Sequence, residues 1–300
     1  MDEMDVKDYR KQYEAELAAD AVTENNIGTS HPMVAAAGAD PAIQQRLMDI
    51  QRALSAGPKL GDKIAELLAT LRNEHESVLV RDAALQALRA ATFLGEHFAP
   101  YRVEFLDTLR QIARPDAPPE LRQDALEALA SEKDPGAQDL LRRGLQDPKL
   151  ALVPAAKALQ LLAYDDHSGV AALALQTFHS TVDLATKEAA LRVLATDAKS
   201  QDLFAKLLED KSQPRSLRAL SATGLHFLNP QKFSDIARKI VLDNSDFEDI
   251  RATSLGALAS APDHQALRHD SGFMEQVKQL EAAGPLANLR AAAGRFMAKP

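Results

Sequence analysis

The chain has 300 residues, a net charge of −8 and no cysteine, which excludes disulfide frameworks, thiolate metal sites and cysteine nucleophiles. Hydrophobic residues make up 46% of it but aromatic ones only 5%, with no tryptophan, so a leucine and alanine core between closely packed helices is expected. There is no run of eighteen apolar residues to span a membrane, and the acidic N-terminus lacks the apolar centre of a secretory signal. A cytoplasmic, all-α protein is the expectation.

Residues 1–40 carry nine acidic side chains against Lys7, Arg10 and Lys11, a balance of −6 that leaves −2 for everything after them. With the body near neutral and no basic stripe in view, nucleic acid is not an expected partner. Residues 3–20 are rich in helix formers and in mixed Glu and Lys, with Val6, Tyr9, Tyr13 and Leu17 at the spacing of one apolar stripe. Periodicity then lapses from Val22 to Asp40, which reads as a linker. The division expected is an acidic helical extension and linker over 1–40 and a helical body over 41–300. Whether the extension docks on its own chain, on a partner or on nothing is left open by the sequence, as is the oligomeric state.

Asp40-Pro41 opens a helix running to about Ser55, with Asp as cap and Pro at the first helical position. From Leu60 onward a phrase recurs. Val80 to Ala90 reads VRDAALQALRA, Leu121 to Ser131 reads LRQDALEALAS, Leu217 to Phe227 reads LRALSATGLHF and Ile250 to Ser260 reads IRATSLGALAS. Arg81, Arg122, Lys187, Arg218, Arg251 and Arg290 share one slot, and Leu152 fills it once. The steps between slots are 41, 30, 35, 31, 33 and 39 residues, the range of a two-helix repeat with variable loops. First helices are expected at 60–74, 101–113, 135–146, 167–179, 199–210, 229–242 and 263–282. Asp134-Pro135, Asp147-Pro148, Asn229-Pro230 and Pro262 fall between helices or at their starts.

The pattern of an apolar residue, Arg, two variable residues, Ala or Ser, an apolar residue and then Ala or Gly before Leu resembles the second helix of HEAT repeats, especially the phycobilisome-lyase HEAT-like subtype. Val80-Arg81, Leu121-Arg122 and Ile250-Arg251 match it best, and the resemblance covers roughly residues 60–298. It implies a right-handed α-solenoid of about seven helix pairs, each unable to bury its apolar face without its neighbours. It also implies that the ladder Arg81, Arg122, Arg218, Arg251 and Arg290 bonds to acidic side chains or carbonyls near the turns. Leu152 departs from the slot. The fold alone names no activity, because this repeat serves scaffolds, adaptors and a few enzymes.

On the family's geometry, the residues one, five and eight positions after each slot line a concave face. These begin with Asp82, Gln86 and Arg89 and end with Ala291, Arg295 and Ala298. Arg89, Lys157, Arg192, His226, Gly256 and Arg295 are the expected partner-binding residues, with Ala252, Gly256 and Ala259 as a close-approach strip. Packing between helices is the competing reading of the same positions.

No catalytic residue, metal ligand or cofactor is expected. There is no H-E-x-x-H, no phosphate-binding glycine motif and no nucleophile elbow. HEAT-repeat deoxyhypusine hydroxylases hold two irons with four His-Glu pairs, and Glu74-His75-Glu76 supplies one. The HEAT-like alkylpurine glycosylases use a basic, aromatic-lined face that this chain lacks. The function expected is therefore a non-catalytic scaffold or adaptor that holds another protein or peptide. The alternative is a lyase-like enzyme or subunit acting on a cofactor-bearing protein.

Overall fold

The computed structural model describes residues 40–53, 59–164, 169–261 and 264–298; the acidic extension, the linker before Asp40 and the stripe of Val6, Tyr9, Tyr13 and Leu17 lie outside them. Among the described residues every regular element is a helix. The chain divides into two compact units between Ala125 and Leu126.

The first unit holds α1 (Pro41–Ala53), α2 (Leu60–Arg72), α3 (Val78–Ala91), α4 (Arg102–Ile112) and the first half of α5 (Pro119–Ser131). Asp40 starts α1 by accepting the Ala42 N–H at 2.8 Å, as a capping carboxylate does. Ser77 starts α3, its hydroxyl accepting the Val80 N–H at 3.3 Å. α3 packs on both α1 and α2. The long step of 41 residues between Arg81 and Arg122 is taken up by 3-10 turns over Thr92–His97 and Ala99–Tyr101. Gly95 turns the chain there at φ 57, a conformation that costs glycine nothing.

The second unit continues with α6 (Pro135–Gln146), α7 (Ala155–Leu162), α8 (Val170–Ser180), α9 (Leu184–Leu194), α10 (Gln201–Glu209) and α11 (Arg215–Leu228). It ends with α12 (Pro230–Leu242), α13 (Glu248–Leu258), α14 (His264–His269), α15 (Ser271–Ala283) and α16 (Ala287–Ala298). Each first helix packs on the second helix that follows it, and α7, α9, α11, α13 and α16 pack in succession on one another. That is a stack of helix pairs. Asp134, Asp183 and Asn229 each accept the N–H three residues ahead, at 2.9, 2.8 and 3.0 Å, so the predicted starts at Pro135 and Pro230 have their physical cause in these caps.

Two expectations are corrected. The single helix expected over 263–282 is two, because Asp270 accepts the Phe273 N–H at 3.1 Å and begins a new helix there. Pro154, which the sequence places in the first turn of its helix, lies one residue before α7, so the Leu152 slot precedes its helix. The core also differs from a purely Leu and Ala interior. Phe105, Phe204, Phe233, Phe273 and Phe296 are fully buried among the leucines. All but Phe296 stand on first helices, and the Phe204 ring fills the space left by Gly224.

Gly224 and Gly256 show how closely that matching is drawn. A Cβ on Gly224 would stand 2.9 Å from the Phe204 ring, whereas one on Gly256 would meet nothing within 4 Å. Both glycines are helical, so only space separates them. Gly224→Ala is expected to destabilise by about 1–3 kcal/mol through overpacking. Gly256→Ala is expected to stabilise by about 0.5–1 kcal/mol through backbone entropy. Urea melts of the two variants beside the parent protein check both signs.

Candidate functional site

The end of a helix leaves carbonyls without intrahelical donors, and the slot arginines supply donors to them. Arg81 Nε donates to Leu71 O at 3.0 Å, Arg218 Nε to Leu208 O at 2.9 Å and Arg251 Nε to Val241 O at 3.1 Å. In each case the acceptor lies ten residues back, at the end of the paired first helix. Arg122 donates to Pro115 O at 2.9 Å and Ala117 O at 3.2 Å, and Arg290 to Gly284 O at 2.6 Å. Those two reach the connecting loop instead. Arg81, Arg218 and Arg251 are buried, Arg218 completely. Lys187 in the same slot sits 5.7 Å from the centre of the Phe178 ring.

Arg218 extends the tie into the next repeat. Its Nη1 and Nη2 fork onto Asp246 Oδ1 and Oδ2 at 2.5 and 2.7 Å, and the Asp246 side chain is 2% exposed. The Phe247 N–H also donates to Asp246, at 2.6 Å. A bidentate pair with further hydrogen bonds on both partners is the geometry that offsets the desolvation of two buried charges. Asp249, which precedes Arg251 in sequence, turns instead to Arg215 at 3.9 Å. Arg251 itself adds Val241 O at 2.9 Å and Asn244 Oδ1 at 2.8 Å through Nη2. Burial pulls its pKa below the ordinary guanidinium value, opposed by the carboxylates of Glu248, Asp243 and Asp246.

At the same edge the loop between α12 and α13 is held by Asp243, which accepts from Ser245 N at 2.9 Å, from Ser245 Oγ at 2.7 Å and from Lys211 Nζ. Lys211 belongs to the preceding pair and also donates to Ser245 Oγ at 2.7 Å. The same Asp-x-Ser turn recurs at Asp210 and Ser212.

The expected partner-binding residues are distributed along the second helices. Gln86 Nε2 reaches Asp124 Oδ2 at 3.3 Å from one second helix to the next, and Arg89 Nη1 lies 3.4 Å from Gln86 Oε1. Lys157 Nζ is 2.7 Å from Glu127 Oε2, with both side chains half-buried. Arg192 is exposed and 3.5 Å from Glu188 on its own helix, and Arg295 is exposed. His226 is half-buried, its ring edge-on to Phe233 at 5.0 Å, and its Nδ1 has no hydrogen-bond partner among the described residues. The strip proves divided: Ala252 and Ala259 are buried in the core, whereas Gly256 faces open space. Packing therefore claims the two alanines. Phe227, 74% exposed beside His226, was not singled out from the sequence, where it stands only as the last letter of a repeat phrase.

Glu74 and His75 are exposed on a turn, and Glu76 bonds Arg46 at 2.7 Å. Among the described residues no three His, Asp or Glu side chains are grouped to hold a metal ion, and no helix is long and apolar enough to cross a membrane.

The carboxylate of Asp243 is held down to about 2 from its usual 3.8, first by the Lys211 hydrogen bond and then by those from Ser245. A depressed carboxylate stabilises the fold above its unfolded pKa and loses that contribution as pH falls towards its folded value. The parent protein is therefore expected to lose melting temperature between about pH 4 and pH 2 more steeply than Asp243→Asn, which starts lower at neutral pH. The site is solvent-facing and screened, so the difference should shrink in high salt. Thermal melts across that range at two salt concentrations read both effects.

No family profile matches the chain, and no curated protein is similar to it. Eight chains among solved structures match. One is human deoxyhypusine hydroxylase in complex with glycerol, 14% identical, with the match covering 79% of this chain and 95% of that chain at a TM-score of 0.34.

Proposed function

We propose that the protein is a non-catalytic scaffold or adaptor whose second helices present a face to another protein or peptide. The finer architecture belongs to the same proposal: a right-handed α-solenoid of about seven HEAT-like pairs of the phycobilisome-lyase subtype. So do the cytoplasmic setting and the absence of nucleic-acid and membrane partners.

The observation that carries the reading is the outer ridge of α11 and α13. Thr223 and Phe227 are exposed on α11, Thr253 is exposed on α13, and Gly256 opens onto empty space. An exposed aromatic beside a surface without side-chain bulk is what a partner segment can anchor on and approach closely. The charged members of the face serve complementarity more than affinity, because Lys157 is already paired with Glu127 and Arg192 with Glu188. In this reading the arginine ladder ties the helix pairs together.

The test is site-specific photo-crosslinking of the full chain in its native cell extract, with the crosslinker at Phe227, at Thr253 or at Lys239 on the opposite, first-helix side. The same protein should be captured from Phe227 and Thr253 and not from Lys239. Gly256→Trp should abolish that capture while leaving the circular dichroism melt cooperative. Equal capture from all three positions, or capture unchanged by the tryptophan, would sink the proposal.

A further inference from the structure

A second feature of the ladder points to a ligand. The residue five positions before a slot arginine stands in the loop that enters its helix, and at one such position it closes the slot arginine one repeat earlier. Asp246, five before Arg251, fills the fork of Arg218. Glu76, five before Arg81, pairs at 2.7 Å with Arg46 of α1, an arginine outside the ladder. For Arg251 the corresponding residue is Pro285, five before Arg290. It has no carboxylate to give.

A cleft lies there instead. Its volume is about 740 Å³, and it is lined by Arg251, Asn244 and Glu248 at the start of the α13 repeat. Gln276, Gln279 and Leu280 of α15 complete it, with Gly284-Pro285 at one end. That size suits a short peptide segment or a small molecule. Arg251 is 3% exposed, and its Nε and Nη2 are bound to Val241 O and Asn244 Oδ1. No partner for Nη1 is found among the described residues. A buried guanidinium that lines a cleft with donor capacity left over is the same group that, one repeat earlier, is closed by a carboxylate.

We propose that this cleft is a carboxylate-binding site, in which Arg251 receives an Asp or Glu side chain from a partner polypeptide as Arg218 receives Asp246. The amides of Asn244, Gln276 and Gln279 are placed to bond the backbone of the incoming segment. Glu248 and Glu275 also line the cleft. Their charge opposes any entering anion, a dianion such as phosphate most strongly, so the carboxylate has to arrive on a carrier that also brings a cation or N–H donors. The site rests on the scaffold reading, which it deepens by giving the partner one required side chain.

The probe is acetyl-Asn-Ser-Asp-Phe-Arg-amide, which copies the loop around Asp246 with a basic residue added, titrated into the full chain by calorimetry. Its Asp→Asn counterpart serves as control. The acidic peptide should bind at least about tenfold more tightly than the amide one, the weight of a charge-assisted hydrogen bond. Two variants then ask whether the cleft is the seat. Pro285→Asp should place a carboxylate on Arg251, melt above Pro285→Asn and lose the peptide, whereas Pro285→Asn should keep it. Equal binding of both peptides, binding of neither, or binding untouched in Pro285→Asp would overturn the inference. If the partner crosslinked at Phe227 is still captured by Pro285→Asp, and the peptide result is also negative, the carboxylate site falls and the scaffold reading stands.

Discussion

A helix pair has to bring the carbonyl-rich end of its first helix close to the start of its second, and those carbonyls need donors in a place with little water. The slot arginine meets that need from inside the second helix. Its stem packs among leucines while its Nε reaches the carbonyl ten residues back, as in Arg81, Arg218 and Arg251. Lysine cannot reproduce the fork, and Lys187 accordingly settles near the Phe178 ring. The spacing of the connecting loop follows from this reach. Where the loop is longer or differently turned, as before Arg122 and Arg290, the arginine bonds the loop itself.

In the second unit the same edge also couples one pair to the next. Arg218 to Asp246, Arg215 to Asp249 and Lys211 to Asp243 all cross from the α10–α11 pair to the loop or helix start of the α12–α13 pair. Lys232 to Asp202 and Lys239 to Glu209 do so between the first helices, at 2.5 and 3.9 Å. The exposed pairs contribute little each. The buried fork is different, because its removal would strand a desolvated guanidinium. With both edges occupied by such ties, the exposed ridge of the second helices is where the proposed partner would add contacts, and the Arg251 cleft is where, in the same proposal, it would supply a carboxylate.

Much of this was legible in the sequence for a definite reason. A helical repeat writes its slot, its caps and its prolines into local spacing, so Asp134-Pro135, Asn229-Pro230 and the arginine ladder could all be placed. What was not legible depends on which helix face meets its neighbour. Ala252 and Ala259 read like Gly256 in sequence, yet two are core and one is open. Asp246 gave no sign of its partner, since Arg218 lies 28 residues away and Asp249 is the nearer acid to the slot. Phe227 is exposed although it ends an apolar phrase, because α11 carries it past the packed face. The break at Asp270 was readable in principle. Asp-Ser-Gly followed by an apolar residue is a cap and first turn, but the surrounding helical composition outweighed it.

The central claim is that a buried guanidinium joins its own helix pair to the next one. Native-state hydrogen exchange of the full chain, comparing the parent protein with Asp246→Asn, tests it most directly. The substitution should cost about 3–5 kcal/mol. Amides in α10, α11, α12 and α13 should lose protection together, while those of α6 and α7 change far less. Faster exchange confined to the loop around residue 246, with α10 and α11 unchanged, would contradict the claim and reduce Arg218 to a helix-end donor within its own pair.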